Sequence, residues 1–145
     1  TPHSLGFALS KYKNTKLYLF SGAAMVDGKI PAESWLPYQI ESEFKRFGVS
    51  YERVFSIKDY VDQVDVIYME DVIGDWSEKT PNEYIVTAAM LKRAKPDLMV
   101  MSPLPRFDEI TADVDETPQA KYFEQSWNIV PVRMAILSLL LGCID

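Results

Sequence analysis

The side chains that ordinary acid–base or metal chemistry requires are few in this chain and unevenly placed. His3 is the only histidine and Cys143 the only cysteine among 145 residues. A histidine-paired nucleophile, a multi-histidine metal site, a cysteine metal cluster and an internal disulfide are therefore excluded unless another chain contributes. Carboxylates gather in two places. Asp113, Asp115 and Glu116 in "TADVDET" invite a cation site, but the stretch lacks the glycine turn and the terminal glutamate of a calcium loop. These acids instead read as capping or preceding a helix that contains Tyr122 and Phe123. Glu70, Asp71 and Asp75 in "YMEDVIGDWSEK" form the second cluster, and clustered charge of this kind usually marks a solvated loop. Between the two lies "SPLPRFDE", in which Pro103 and Pro105 bracket Leu104 in a rigid turn with Arg106 beside it. No glycine-rich phosphate loop occurs among the six glycines, so neither a metal nor an organic cofactor is expected.

The elements that must carry these residues alternate. "TPHSLGFALSKY" has Thr1 as N-cap and Pro2 at the first helical position, with Leu5, Ala8, Leu9 and Tyr12 on one stripe. "KLYLF" (16–20) reads as a buried strand. Residues 37–47 put Ile40, Phe44 and Phe47 at helical spacing, with Gly48 placed to end that helix in a left-handed conformation. "YERVF" (51–55) is a strand, "SIKDYVDQV" a short helix, "DVIYM" (65–69) a strand, residues 70–82 a polar loop, "VTAAMLKRA" (86–94) a helix and "DLMVM" (97–101) a strand. The alternation predicts one α/β domain over residues 1–145, a three-layer, Rossmann-like parallel sheet with helices on both faces. The formal net charge of −6 comes with no Lys/Arg stripe, which argues against a nucleic-acid partner. No apolar run approaches the roughly 18 to 20 residues of a membrane span and no signal-peptide pattern opens the chain, so a cytoplasmic location is expected.

"PVRMAILSLLLG" predicts a last helix beginning at Pro131. Val132, Ile136, Leu139 and Leu140 fall on one face and Met134, Leu137 and Leu141 on another, and two apolar faces need two partners. One is expected to be the domain's own sheet. The other is a separate domain or chain, or else this is one unusually buried helix.

Pro103, Leu104, Pro105, Arg106, Asp108, Glu109, Ile110, Asp113, Asp115, Thr117, Pro118, Ala120, Tyr122, Phe123, Gln125 and Arg133 together resemble the C-terminal part of aspartate carbamoyltransferase. That family's pattern runs approximately H-P-L-P-R-x-D-E-I, then D-x-D-x-T-P-x-A-x-Y-F-x-Q, then an Arg-containing aliphatic helix. "HSL" near the start and "DVIYM" agree in order and spacing, so the resemblance spans the chain. It covers the family's second, amino-acid-binding domain alone. The family's first domain, with its S-T-R-T phosphate loop, is not matched, and the chain reads as a piece of something longer. The resemblance implies carbamoyl transfer from carbamoyl phosphate to L-aspartate, in pyrimidine biosynthesis. It implies substrate contacts through Pro103 and Leu104, whose backbone carbonyls approach the amino end of the carbamoyl group, a cis bond between Leu104 and Pro105, and Arg106 in support.

The aspartate loop departs from the family. Glu70, Asp71 and Ile73 stand where the family has Thr, Arg and Gln, Gly74 and Trp76 replace later basic positions, and Ser102 replaces the His before the prolines. A dicarboxylate needs cations. A unit charge pair at about 4 Å is worth about 4 kcal/mol at an effective dielectric near 20, so reversing one contact swings binding by roughly twice that. The amino-acid substrate is therefore in doubt. Ornithine carbamoyltransferase offers an acidic residue in the equivalent loop, but its S-M-G signature and its turn cysteine are not here, where Gly74, Asp75, Trp76 and Pro103 stand. Two functions follow from the resemblance. In one the chain is the amino-acid-binding half of the enzyme, inactive alone and completed by a carbamoyl-phosphate-binding domain or chain. In the other it is a catalytically degenerate homologue, an assembly or regulatory module that self-associates or docks a partner.

Overall fold

The structure, a computed structural model, describes residues 2–20, 38–70, 80 and 82–143. Helix α1 (Pro2–Leu9) leads into strand β1 (Lys16–Phe20), helix α2 (Tyr38–Phe47) and strand β2 (Ser50–Val54). Strands β1 and β2 pair in parallel, Lys16 opposite Ser50 and Phe20 opposite Val54, with α2 between them in sequence, as a parallel pair requires. Glu41 lies in the first turn of α2 and Lys45 and Arg46 in its last, which suits the helix dipole at both ends. Phe44 is fully buried from this helix. The end of α2 is a Schellman motif: the Val49 amide donates to the Phe44 carbonyl at 2.9 Å and the Gly48 amide to the Lys45 carbonyl at 3.3 Å. Gly48 has φ +66°, the left-handed conformation expected of it.

The second parallel pair is β3 (Val66–Tyr68) with β4 (Met99–Met101), registered Val66 to Met99 and Tyr68 to Met101. Around it lies the main core, where Val61, Val86, Val100, Ile110, Val114 and Tyr122 are buried to 1% exposure or less. Helix α3 (Ala88–Leu91) is capped by Thr87, whose hydroxyl accepts from the Met90 amide at 3.2 Å. Asp113 caps it a second time, its carboxylate accepting from the Ala88 amide at 3.3 Å. Helix α4 (Tyr122–Leu140) follows a single turn of backbone that docks beside β4, where the Val100 amide donates to the Gln119 carbonyl at 2.8 Å and the Lys121 amide to the Val100 carbonyl at 2.9 Å.

The strands of the sequence reading are present, the first with the predicted bounds and the other three shortened or shifted at their ends, and several helical expectations are corrected. Residues 56–64 form only a 3₁₀ turn at Ile57–Asp59, and residues 86–94 only the one-turn α3, because Val86 instead bridges Ile110 as a strand would. Asp113 and Asp115 sit in a 3₁₀ turn, Ala112–Glu116, and cap α3 or tie the Arg106 loop rather than lead α4. On α1 the predicted stripe is offset: Gly6 and Ser10 are buried, whereas Ala8 and Tyr12 are exposed. Thr1 and the loop 71–79 lie outside the described residues.

The largest correction concerns α4. Pro131 lies inside it rather than at its start, so the Trp127 carbonyl receives no amide from position 131. Val132, Met134, Ile136, Leu137, Leu139, Leu140 and Leu141 are all at least half exposed, Leu140 reaching 78%. Neither apolar face is covered among the described residues. The sheet does not take one of them, and the reading of an unusually buried helix fails with it, because only Tyr122 of α4 is buried. No helix of the described residues is long and apolar enough to cross a membrane.

Candidate functional site

Parallel α/β sheets bind ligands beyond the C-terminal ends of their strands, where backbone groups are free of the ladder. Here β3 ends in Met69 and Glu70, and β4 ends in Ser102 and the proline turn. The two exits are held together by the Met69 amide donating to the Met101 carbonyl at 2.9 Å. The Glu70 carbonyl accepts from the Tyr84 phenol at 2.8 Å, which fixes the start of the acidic loop from the opposite side.

Ser102 is nearly fully buried and works as a two-sided anchor. Its amide donates to the Gln125 side-chain oxygen at 3.0 Å, and its hydroxyl accepts from the Leu104 amide at 3.2 Å. The Leu104–Pro105 peptide is cis and Leu104 has φ +55°, a left-handed conformation that a non-glycine residue adopts only when its surroundings hold it there. Pro103 and Leu104 are half-buried at this corner.

Arg106 closes the turn from the other end. Its guanidinium donates to the Ile110 carbonyl at 3.3 Å, the Thr111 carbonyl at 3.2 Å and the Asp115 carboxylate at 2.5 Å. It also lies 5.3 Å from the centroid of the Tyr122 ring. The Tyr122 phenol donates to the second Asp115 oxygen. Burial, and then this bond to Asp115, raise the Tyr122 phenol far above its ordinary range. Burial likewise raises the Tyr68 phenol, a hydrogen bond from Gln125 pulls it back, and the charge of Glu70 adds to the rise.

Glu109 is the exception to this tidy pairing. It is 1% exposed. One carboxylate oxygen accepts from the Phe107 amide at 3.0 Å, and the other, Oε1, is buried with no hydrogen-bond partner among the described residues. Beside it an open cleft of about 570 Å³ is lined by Thr80, Asn82, Ile85, Arg106, Phe107 and Asp108 among others. A second, shallower groove of about 430 Å³ runs along α4 between Gln125, Asn128, Ile129, Val132, Arg133 and Ile136. No group of three or more metal-ligating side chains is placed to hold an ion among the described residues.

Of the residues singled out in the sequence, Glu70, Pro103, Leu104 and Arg106 therefore meet at one edge of the β3–β4 sheet, while Asp71 and Ile73 lie outside the described residues. Sequence reasoning missed the roles of Gln125, Ser102, Tyr68 and Tyr84. A signal for Gln125 existed: it stands one turn after Tyr122 on the same face of α4, so a buried Tyr122 turns it toward the sheet. The backbone carbonyls of Pro103 and Leu104 belong to this turn, just past the end of β4. Arg106, its cation, is committed to the turn's own backbone and to Asp115.

The described strands thus belong to a parallel α/β domain of Rossmann-like fold, with a cis-proline turn at the C-terminal end of β4. The match to known proteins makes this specific. The family model for the Asp/Orn binding domain of aspartate/ornithine carbamoyltransferase matches residues 1–140, and the chain belongs to that family. It is 40% identical to the aspartate carbamoyltransferase catalytic subunit of Methanobrevibacter smithii, over 97% of this chain and 43% of the relative. It is 36% identical to that of Methanosarcina mazei, over 100% of this chain and 46% of the relative. Among solved structures, the catalytic subunit of M. jannaschii aspartate transcarbamoylase superposes with a TM-score of 0.78 at 35% identity, covering 99% of this chain and 46% of that one. Aspartate transcarbamoylase from Trypanosoma cruzi, in complex with carbamoyl aspartate and phosphate, superposes with a TM-score of 0.76 at 28% identity, over 94% and 42%. The chain thus spans less than half the length of each of these relatives.

Proposed function

We propose that the chain supplies the amino-acid-binding half of an aspartate carbamoyltransferase active site and acts with a carbamoyl-phosphate-binding unit on the same or another chain. The observation that supports this is the turn at the end of β4, where the Ser102 hydroxyl accepts from the Leu104 amide and Arg106, after the turn, donates to the Ile110 carbonyl. In carbamoyl transfer the amine nitrogen of the acceptor attacks the carbonyl carbon of carbamoyl phosphate. A C–N bond forms, the bond from that carbon to the phosphate oxygen breaks, phosphate leaves with the electron pair, and the amine loses a proton. The carbonyls of Pro103 and Leu104 are acceptors for the N–H groups of the carbamoyl unit, and their role is orientation. The cations and amide donors that stabilise phosphate and the developing oxyanion come from the other unit. That unit is also the proposed occupant of the groove on α4. A chain covering under half of its relatives' length has a partner surface of domain size to meet, and the uncovered aliphatic helix is the apolar surface available for it.

A second reading is favoured by Asp71 and Ile73 where the family carries Arg and Gln: the transferase scaffold is kept as an assembly or regulatory module. One experiment separates the two. The chain is combined with the carbamoyl-phosphate-binding domain of a homologous catalytic subunit and carbamoyl aspartate formation is measured, with calorimetric titration of aspartate in the presence of phosphate. The first reading expects no product from the chain alone and product from the combination. Product only after Asp71→Arg establishes the degenerate module, and no product from either combination rejects carbamoyl transfer for this fold edge.

A further inference from the structure

We propose that Gln125 is a positioning residue for the proline turn, a single amide that clamps the exit of β4 to helix α4. The inference rests on the carbamoyl-transfer reading only in giving the Pro103 and Leu104 carbonyls a ligand to meet. The clamp itself is geometric. The Gln125 side-chain oxygen accepts the Ser102 amide at 3.0 Å. That amide lies just past β4, where no strand continues to receive it, and Ser102 is 1% exposed, so without Gln125 a buried donor stands unpaired. The Ser102 hydroxyl in turn receives the Leu104 amide at 3.2 Å. Two consecutive hydrogen bonds therefore run from one helix side chain to the residue held at φ +55°.

An amide oxygen suits this position because it accepts the buried Ser102 N–H without bringing a charge to it. Tyr122 sits one turn earlier, fully buried, and fixes the azimuth of α4, so the Gln125 side chain has little freedom to leave. Gln125 also forms the first wall of the groove it shares with Asn128, Ile129, Val132, Arg133 and Ile136. A body seated in that groove touches the amide that holds Ser102. The charged groups around the clamp are Glu70 beside Tyr68, Arg133 in the groove, and the Lys121–Glu124 pair on the first turn of α4, 3.8 Å apart. None replaces the amide as an acceptor for the buried Ser102 N–H.

The test compares Gln125→Met, which keeps length and loses the acceptor, with Gln125→Glu, which keeps an acceptor oxygen. Amide hydrogen exchange is followed residue by residue in the full-length protein. In Gln125→Met the Ser102 and Leu104 amides are expected to exchange about tenfold faster while Val86 and Val100 stay protected. In Gln125→Glu their protection returns. A general rise in exchange across the core, or unchanged Ser102 and Leu104 amides in Gln125→Met, overturns the proposal. Turnover with a carbamoyl-phosphate-binding unit separates it from the functional reading. A wild-type chain that stays inactive while Leu104 exchange still follows Gln125 sinks carbamoyl transfer and supports the clamp; an active chain indifferent to Gln125→Met does the reverse.

Discussion

Replacing Arg106 by methionine should be among the most damaging single changes near the turn. The guanidinium serves three acceptors, the carboxylate of Asp115 at 2.5 Å and the carbonyls of Ile110 and Thr111 at 3.3 and 3.2 Å. Removing one partner of a fully buried ion pair costs about 3–5 kcal/mol, mostly because the other charge is left uncompensated. The two side chains here are 18% and 29% exposed, and Asp115 keeps its bond from Tyr122, so solvent and that bond lower the expected loss to about 2–4 kcal/mol. In a domain of this size each kcal/mol moves the unfolding midpoint by about 3 °C, which gives a drop of about 6–12 °C. Arg106→Lys restores the charge but not the fork, since one ammonium cannot reach three acceptors spread around a planar group, and about half of the loss should remain. Adding Asp115→Asn to Arg106→Met removes the stranded charge, so the double variant should lose less than the sum of its singles. Thermal and urea unfolding followed by circular dichroism measure the wild type and the four variants, Asp115→Asn alone among them. An Arg106→Met protein within about 1 kcal/mol of wild type, or an Arg106→Lys protein indistinguishable from it, would show that the turn does not depend on the fork.

Three further outcomes follow from individual residues. The folded Tyr122 phenol is held far above its ordinary value, so its contribution is fully present below about pH 10, where the unfolded tyrosine also stays protonated. It is lost as pH rises beyond that, at up to about 1.4 kcal/mol per unit. Tyr122→Phe should flatten the alkaline slope of urea midpoints between about pH 9.5 and 11.5, and an unchanged slope refutes the assignment. Glu109→Gln removes a charge whose Oε1 is buried and unpartnered while keeping an oxygen for the Phe107 amide, so it should stabilise by about 1–2 kcal/mol; a comparable destabilisation in the same unfolding assay would mean that the oxygen has a donor after all. Leu137 is 58% exposed within the aliphatic stretch of α4, and the chain without its covering unit should self-associate at micromolar concentration in sedimentation. Leu137→Glu should return it to monomer, whereas a monomeric wild type would show that the patch needs no cover.

Period and punctuation carried the first half of the fold well. Gly48 ended α2 where a left-handed residue was required, and "KLYLF" and "DVIYM" sat in parallel pairs because short apolar runs between helices have few other uses. Local pattern failed where tertiary hydrogen bonds decide. Val86 has a helical context in sequence, yet its amide is taken by the Glu109 carbonyl at 2.9 Å, and no window along the chain contains both residues. Pro131 read as a helix start because its missing amide costs nothing there; inside α4 the loss falls on a solvent-facing turn beside Trp127, itself 76% exposed. At the site, Pro103, Leu104 and Arg106 were legible from the resemblance. The clamp was not, since Gln125 and Ser102 are 23 residues apart and a glutamine on a helix usually points to water.

The division of labour along α4 ties the site to the exposed surface. Its first turn is fixed: Tyr122 is buried against Asp115 and Arg106, and Gln125 holds Ser102. Beyond Trp127 it makes no buried contact among the described residues. An exposed aliphatic side chain forgoes about 1.5–3 kcal/mol that full burial would give, and a run of them on one rigid element is tolerated only where something else covers it. The turn carbonyls have the same incompleteness in chemical form, since acceptors orient an N–H but cannot stabilise a leaving phosphate. On the carbamoyl-transfer reading proposed above, a domain that brought cations to the sheet edge and an apolar face to α4 would be the body that answers both needs. Because Gln125 belongs to the groove and to the clamp at once, seating that body and setting the turn share a side chain, so a change in either should register in the other.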